Sequence, residues 1–356
     1  PAGPFTTMWF GIDVNQGKRA LVLDLKTEEG RAALAPLIRN ADIVLHNFLD
    51  RSARSIGIAH DQLTAINPDI ISCQVSGWAG PDGGAYKDDP TFDPVVQSAT
   101  GITARYGSLE QPTLHGIASC VDYLTGFTAA TGILQALIAR EAGRGGSHVR
   151  TSLAMAGQLV QFPHMVATEN AGPGDEPSGQ MARGAGPDQH LYELIDGWAY
   201  LGCRPGDISK VAVAVDAQAS TVETLARRLR EMSLADVQSC LATVPGAGVL
   251  PVRSLAEIRH ERTASDDDAS SNCMNVGSFR LRRAMHPSGF MTTLPLPTWI
   301  RPANAFVKSL HPAVSPGKDT VAVLKEIGLS EDTVEELLRD IVARDSWIIA
   351  PAYLPE

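Results

Sequence analysis

The stretch "IASCVDYLTGFTAATGILQALIAR", residues 117–140, places one acidic residue, Asp122, where small residues give way to a long apolar helical pattern. A carboxylate at that point has two uses. Ser119 and Asp122 have the S-x-x-D spacing of a capping box, in which the acid only satisfies backbone N–H groups of the first turn. The same position sets a carboxylate among N–H donors and at the positive end of the helix dipole, where an anion is favoured and where charge developing on a substrate would also be met. An ionised carboxylate of this kind can act as a covalent nucleophile. The spacing alone leaves both uses open.

Other chemistries find little support. After "LVLDL" the chain reads "KTEEGR", with no glycine cluster through which a pyrophosphate could approach the backbone, so a nicotinamide or flavin dehydrogenase is disfavoured. There is no Gly-x-Ser-x-Gly elbow, no H-E-x-x-H pair and no C-x-x-C, so neither a serine hydrolase nor a metal site is indicated. His115 and His164 read as structural residues, and the acidic run at residues 266–268 as part of an exposed loop over 261–278. "GRGG" at 143–146 reads as a helix C-cap and turn rather than a phosphate loop.

The elements that must position Asp122 follow from periodicity. "ALVLDL" (20–25), "DIVLHNF" (42–48) and "DIISCQVSGWA" (69–79) read as strands. Between them lie "TEEGRAALAPLIRNA", an amphipathic helix opened by Thr27, and a helical stretch through "HDQLTAINP" closed by Pro68. Strands alternating with helices imply a parallel sheet. The loop over 80–92 leaves the carboxyl end of the third strand, the side on which open α/β sheets bind ligands. A short helix near "DPVVQSATG" comes next, and "GRGGSHVRTSLAMAGQLVQF" reads as a turn, a strand and a helix. Residues 169–189, rich in Gly, Pro and polar types, read as a linker. Beyond it Asp196-Gly197 signals a hairpin, and two charged helical patterns lie between 219 and 243. Two more helices close the chain, with Pro316 and Ser330 near their starts.

Composition bounds the function. The 356 residues are enough for two domains, and a formal net charge of −10 with basic residues scattered argues against nucleic acid as a partner. No uninterrupted apolar run reaches the length of a membrane span, and the first residues lack the basic and apolar regions of a signal peptide. Cys73, Cys120, Cys203, Cys240 and Cys273 are an odd number at wide spacing, as expected of thiols in a reducing compartment. A soluble, cytoplasmic protein without membrane partners is the expectation.

Six segments occur in a telling order: "NQGKRALVLDLKTEEGRAAL", "ADIVLHNF", "LTAINPDIISCQVSGWAGPDG", "TFDPVVQSATG", "DYLTGFTAATGILQALIAR" and "GRGGSHVRTSL". With "GKDTVAVLKEIGLSEDTVEELL" near the end, the chain resembles the class III coenzyme A transferases, relatives of formyl-CoA and carnitine-CoA transferases. The resemblance implies that Asp122, ahead of Thr125-Gly126, is the nucleophile. It implies that CoA, supplied as an acyl-CoA, passes to a carboxylic acid through a mixed anhydride and an aspartyl-CoA thioester, with no metal.

Asn47 and Phe48 match the family's "ENF" segment, where CoA contacts are expected, and Asn15, Lys18 and Arg19 match its "N-x-x-KR" segment. Arg51 and Arg54 are further CoA candidates but are displaced from the family's basic position. Gln97, near the nucleophile helix, is a further CoA candidate, and Gly184 and Gly186 lie where relatives carry a glycine loop. The racemase branch of the superfamily needs a histidine before the aspartate of "G-H-D"; here Phe92 precedes Asp93, and a phenylalanine carries no proton.

The implied fold is α/β: a large CoA-binding domain with a Rossmann-like parallel sheet over residues 1–170 and 311–356, a linker over 171–189, and a small α+β domain over 190–310. The resemblance implies a leading strand and helix before "N-x-x-KR", and the expectation is that this first βα unit is missing here. An interlocked homodimer is the family expectation. A second reading is a non-catalytic CoA-binding or scaffolding half of a tandem or heteromeric transferase, completed by a partner half-chain.

Overall fold

The computed structural model describes residues 14–78, 84–115, 120–167, 169, 178–254, 256–257, 273–276, 279–285, 291–295 and 313–346. The chain divides into two compact units, one of Pro1–Val75, Ala129–Arg150 and Leu255–Glu356, the other of Ser76–Thr128 and Thr151–Ser254.

In the first unit β1 (Val22–Leu23) leads to α1 (Glu28–Asn40), whose N-cap Thr27 accepts from the Gly30 N–H at 3.0 Å. Then β2 (Ile43–His46) runs through the short helices α2 (Asp50–Ser55) and α3 (His60–Ile66) to β3 (Ile71–Ser76), which pairs with it in parallel, His46 opposite Gln74. With β4 (Ser147–Ser152) these form a sheet ordered β2-β3-β4. Ile38, Ala53, Ile58, Leu63 and Ile70 make the core between helices and sheet. The mixed α/β class with a parallel sheet agrees with the sequence.

The strand expected at 20–25 differs. Only Val22 and Leu23 form a ladder, half-buried, and they pair antiparallel with β12 (Ala343–Arg344). Side chains from the C-terminal region take its backbone donors: Asp319 accepts from Ala20 N and Thr320 from Val22 N. Two helices, α11 (Thr320–Glu326) and α12 (Glu331–Arg339), supply Leu324, Val334 and Leu337 to a core shared with Ala33 and Leu23. Ser330 caps α12 as its position suggested. An antiparallel sheet of β9 (Cys273–Val276), β10 (Phe279–Met285) and β11 (Met291–Pro295) also falls in this unit, so residues 273–276 are strand rather than the loop expected over 261–278; the acidic run at 266–268 lies outside the described residues.

The second unit holds α4 (Asp93–Ala99), α5 (Ile102–Tyr106) and α7 (Leu153–Met165). Its sheet, ordered β5-β6-β7-β8, comprises β5 (Gly184–Gly186), β6 (Gln189–Leu194), β7 (Gly197–Gly202) and β8 (Gly248–Pro251). The β6–β7 hairpin forms, but its turn is Ile195-Asp196, one residue ahead of the Asp196-Gly197 pair read from sequence, and Gly197 opens β7 at φ 139°. Residues 184–186 are an edge strand rather than linker, since their ladder with β6 admits no side chain: a Cβ on Gly184 would lie 2.0 Å from the Gln189 carbonyl oxygen. Leu201, Val211, Leu225, Leu229 and Val237 bury the sheet against α8 (Ile208–Ala214), α9 (Val222–Leu229) and α10 (Leu234–Leu241).

Helix α6 (Cys120–Ala139), which carries Asp122, is followed by a π-turn over Arg140–Arg144 in which Gly143 has φ 79°. The sequence shows no unbroken apolar run here because Thr, Gly and Gln interrupt it, yet the helix and turn together are long and apolar enough to cross a membrane by length and composition. Gly132 lets α6 lie close on β4: a Cβ there would meet the Val149 side chain at 2.7 Å. Such an approach is that of a helix packed on a sheet.

Candidate functional site

The start of α6 is held from another helix. Asp93, first residue of α4 and 3% exposed, turns one carboxylate oxygen to the backbone N–H groups of Val121 and Asp122, at 2.8 and 3.2 Å. Its other oxygen accepts from the Gln97 amide, and Gln97 Oε1 accepts from the His115 N–H at 2.9 Å. Gln97, expected from sequence as a CoA contact, is thus 2% exposed and spends its amide bracing Asp93 and the segment before α6. Buried, with its donors and acceptor engaged inside the protein, it offers nothing to a ligand.

Asp93 thus accepts from two N–H groups of the first turn; Ser119, which the sequence pairs with Asp122 in a capping box, lies outside the described residues. Asp122 itself is exposed on the first turn of a 20-residue helix, at its positive end. Thr125, buried behind it, donates to the Val121 carbonyl at 2.6 Å, and Gly126 has open space around its Cα. Phe92, where a racemase would need histidine, is 73% exposed. Cys120, half-buried and two residues from Asp122, is pushed up by burial and then by the Asp93 charge, so it stays a thiol rather than a competing thiolate.

The CoA candidates of the first unit gather at the carboxyl end of β2 and β3. Asn47 and Phe48 leave β2 directly, both exposed. The Phe48 N–H donates to His46 Nδ1 at 3.3 Å, and the Phe48 carbonyl accepts from Gln74 Nε2 at 2.9 Å. The same Gln74 amide donates to Asp50 Oδ1 at 2.7 Å, and Arg150 Nη2 bridges both oxygens of Asp50 at 3.0 and 3.1 Å. Burial works against the Asp50 charge, but the Gln74 and Arg150 donors outweigh it and hold the carboxyl below its ordinary range. His46 is lowered by burial and then by Arg150. Together with Arg54, His60 and His148 these residues line a polar cleft of about 190 Å³.

The basic candidates divide. Arg51 is exposed on α2 beside that cleft. Arg54 is held in a forked pair with Asp61 at 2.9 and 3.0 Å. Arg19 is likewise forked onto Glu326 at 2.6 and 3.0 Å, where it ties the N-terminal segment to α11, and Lys18 is exposed beside it. Asp93, Gln74 and Arg150 were missed by sequence reasoning. The signal for Asp93 was an acid opening a helix with no cap of its own to fill; Gln74 and Arg150 left none, because a polar residue inside a strand does not reveal its partner.

Comparison with known proteins matches residues 4–312 to the sequence model of CoA-transferase family III. The CoA-transferase/lyase DddD of Marinomonas sp. (strain MWYL1) is 28% identical over 352 residues, 97% of this chain and 42% of that protein. The formyl-CoA:oxalate CoA-transferase of Streptomyces avermitilis is 27% identical over 263 residues, 67% of this chain and 63% of that one. The chain thus spans less than two thirds of either relative. A CAIB/BAIF family protein from Brucella suis, solved as a crystal structure, superposes with a TM-score of 0.66 at 22% identity, covering 88% of this chain and 82% of that chain.

Proposed function

The chain belongs to CoA-transferase family III, and from that premise we propose that it moves coenzyme A between an acyl-CoA donor and a carboxylic acid acceptor, with Asp122 as nucleophile. One observation carries this reading: Asp122 stands exposed on the first turn of α6, its own N–H and that of Val121 tied to the buried Asp93. A nucleophile needs a fixed backbone and an accessible side chain, and the tied N–H groups and the exposure of Asp122 favour both.

In the proposed cycle an Asp122 oxygen attacks the thioester carbonyl, the C–S bond breaks, and CoA leaves as the thiolate. The thiolate then attacks the aspartyl carbonyl of the mixed anhydride and releases the donor acid. The acceptor carboxylate attacks the resulting aspartyl-CoA thioester, and the thiolate freed a second time takes the acyl group from the new anhydride, which restores Asp122. No proton is gained or lost and one activated bond, thioester or anhydride, is present at every stage, so ATP does not enter the balance and no step calls for a metal. Asn47 and Phe48, with Arg51 beside them, are the proposed CoA contacts; Lys18, Arg19 and Arg54 are lesser candidates, the two arginines because each is already paired.

We further propose that the chain works as a dimer in the cytoplasm. Supporting this, α7 leaves Met155, Leu159, Phe162 and Met165 each more than half exposed, and α6 leaves Leu134 and Ile138 so. Apolar faces of this kind mark contact surfaces. The second reading is a non-catalytic CoA-binding or scaffolding half of a tandem or heteromeric transferase; the match covers 42% of the DddD protein.

The test is direct. The chain is incubated with a panel of short and branched acyl-CoA thioesters, digested quickly, and the Asp122 peptide weighed by mass spectrometry against an Asp122→Ala control. An adduct confined to the parent chain supports the nucleophile. No adduct, with CoA still bound, favours the non-catalytic half.

A further inference from the structure

The Asp50–Arg150 pair beside the Asn47–Phe48 turn is itself held from behind. Arg150 Nε donates to His148 Nε2 at 2.9 Å. His148 Nδ1 lies 2.7 Å from Ser72 Oγ, and the same hydroxyl lies 2.8 Å from His60 Nδ1, with the two imidazoles stacked at 4.8 Å.

The direction of the first two bonds in this chain follows from its one obligate donor. A guanidinium N–H can only donate, so His148 Nε2 accepts and carries no proton. The His148 proton then sits on Nδ1 and goes to Ser72, whose hydroxyl in turn bonds with His60 Nδ1. Consistent with a ring that must stay neutral, His148 is pushed down to about 4 by burial, by His60 and by Arg150.

An exposed turn past the end of a strand can satisfy its peptide groups with water. Here both polar groups of Phe48 are instead taken by side chains, His46 and Gln74, and Gln74 is only 4% exposed. What such bonds add beyond water is a single conformation, which lowers the cost of ordering the turn around a ligand. We propose that Gln74, Asp50 and Arg150 are positioning residues that set the Asn47–Phe48 turn for coenzyme A, with His148, Ser72 and His60 fixing the guanidinium. The inference rests on the CoA contact proposed above and adds residues that act through that turn.

The experiment uses the full chain and coenzyme A itself. Calorimetric Kd and backbone hydrogen exchange of the segment 44–52 are measured for the parent, Gln74→Leu, Arg150→Leu and Ser72→Ala. The control is Arg140→Leu, which removes an equal charge from a pair with Asp42 at the opposite end of β2. Gln74→Leu and Arg150→Leu are expected to raise Kd about tenfold and Ser72→Ala about threefold, with faster exchange over 47–50 in all three, while Arg140→Leu stays within about twofold. With acyl-CoA turnover the loss falls on KM rather than kcat. Variants that bind CoA as the parent does, or a matching loss in Arg140→Leu, overturn the proposal. A parent chain that binds no CoA defeats the transferase reading and this inference's ligand together; unchanged exchange defeats the positioning on its own.

Discussion

Replacing Asp93 should loosen the start of α6, and the structure says by how much. In Asp93→Ala the two amides of the first turn lose their acceptor. Asp122 is exposed, so water can replace the bond to its N–H, whereas Val121 is 1% exposed and its N–H is stranded. A stranded buried donor costs about 1–3 kcal/mol, and the Gln97 amide, also buried, loses a charge-assisted partner of similar size. The sum is roughly 3 kcal/mol, about a hundredfold in the folded-to-unfolded ratio. Asp93→Asn keeps one oxygen for Val121 but turns an NH2 toward the Gln97 NH2, so about half the loss is expected. Urea unfolding followed by circular dichroism would compare the two with Gln97→Leu and the double variant Asp93→Ala/Gln97→Leu. Because both residues serve one network, the double variant should lose about 1 kcal/mol less than the sum of its parts. A loss below about 1 kcal/mol for Asp93→Ala, or one no larger than for Asp93→Asn, would refute the view that this carboxylate holds the helix start.

Asp122→Asn should reduce acyl-CoA exchange at least about a thousandfold, read by product formation, in a chain whose circular dichroism remains that of the folded parent. The pH dependence of stability has a definite sign: between a folded value of about 4 and the ordinary 6.5 for His148, the unfolded chain holds a proton that the folded one lacks. Stability is therefore complete above pH 6.5 and falls as pH drops toward 4, and urea midpoints across that range should show a slope that His148→Gln reduces. Gly146→Ala should cost more than ~2 kcal/mol, because its Cβ would lie 2.6 Å from the Ile70 carbonyl oxygen and 2.7 Å from that of Pro68; thermal melts check this. Thr27→Ala should cost about 1 kcal/mol by loss of the α1 cap, measured the same way.

What could be read in advance was what is local. Thr27 and Ser330 announced their helices because a hydroxyl ahead of an apolar period has one common use, and Asp196-Gly197 announced its hairpin to within one residue, the turn itself falling on Ile195-Asp196. The pairing of Val22–Leu23 could not be read, since a short apolar run carries no mark of its partner. The same holds at the site. Asp122 drew notice through its neighbours in sequence, whereas Asp93, which holds it, is 29 residues away, and Gln74 reaches Phe48 across 26. Burial removed Gln97 from the ligand contacts, and ion pairs engaged Arg19 and Arg54; neither fact is written in residue type.

The ladder between Val22–Leu23 and Ala343–Arg344 has a consequence for how the chain is made. A ribosome adds about 5–20 residues per second, so roughly a quarter of a minute to a minute separates the emergence of the two strands. During that interval Leu21, Leu23 and Ala33 have no Leu324, Val334 or Leu337 to pack against. The Val22–Leu23 strand is thus completed only when Ala343–Arg344 follows it out, and until then its apolar face and open strand edge are available to chaperones and to neighbouring nascent chains.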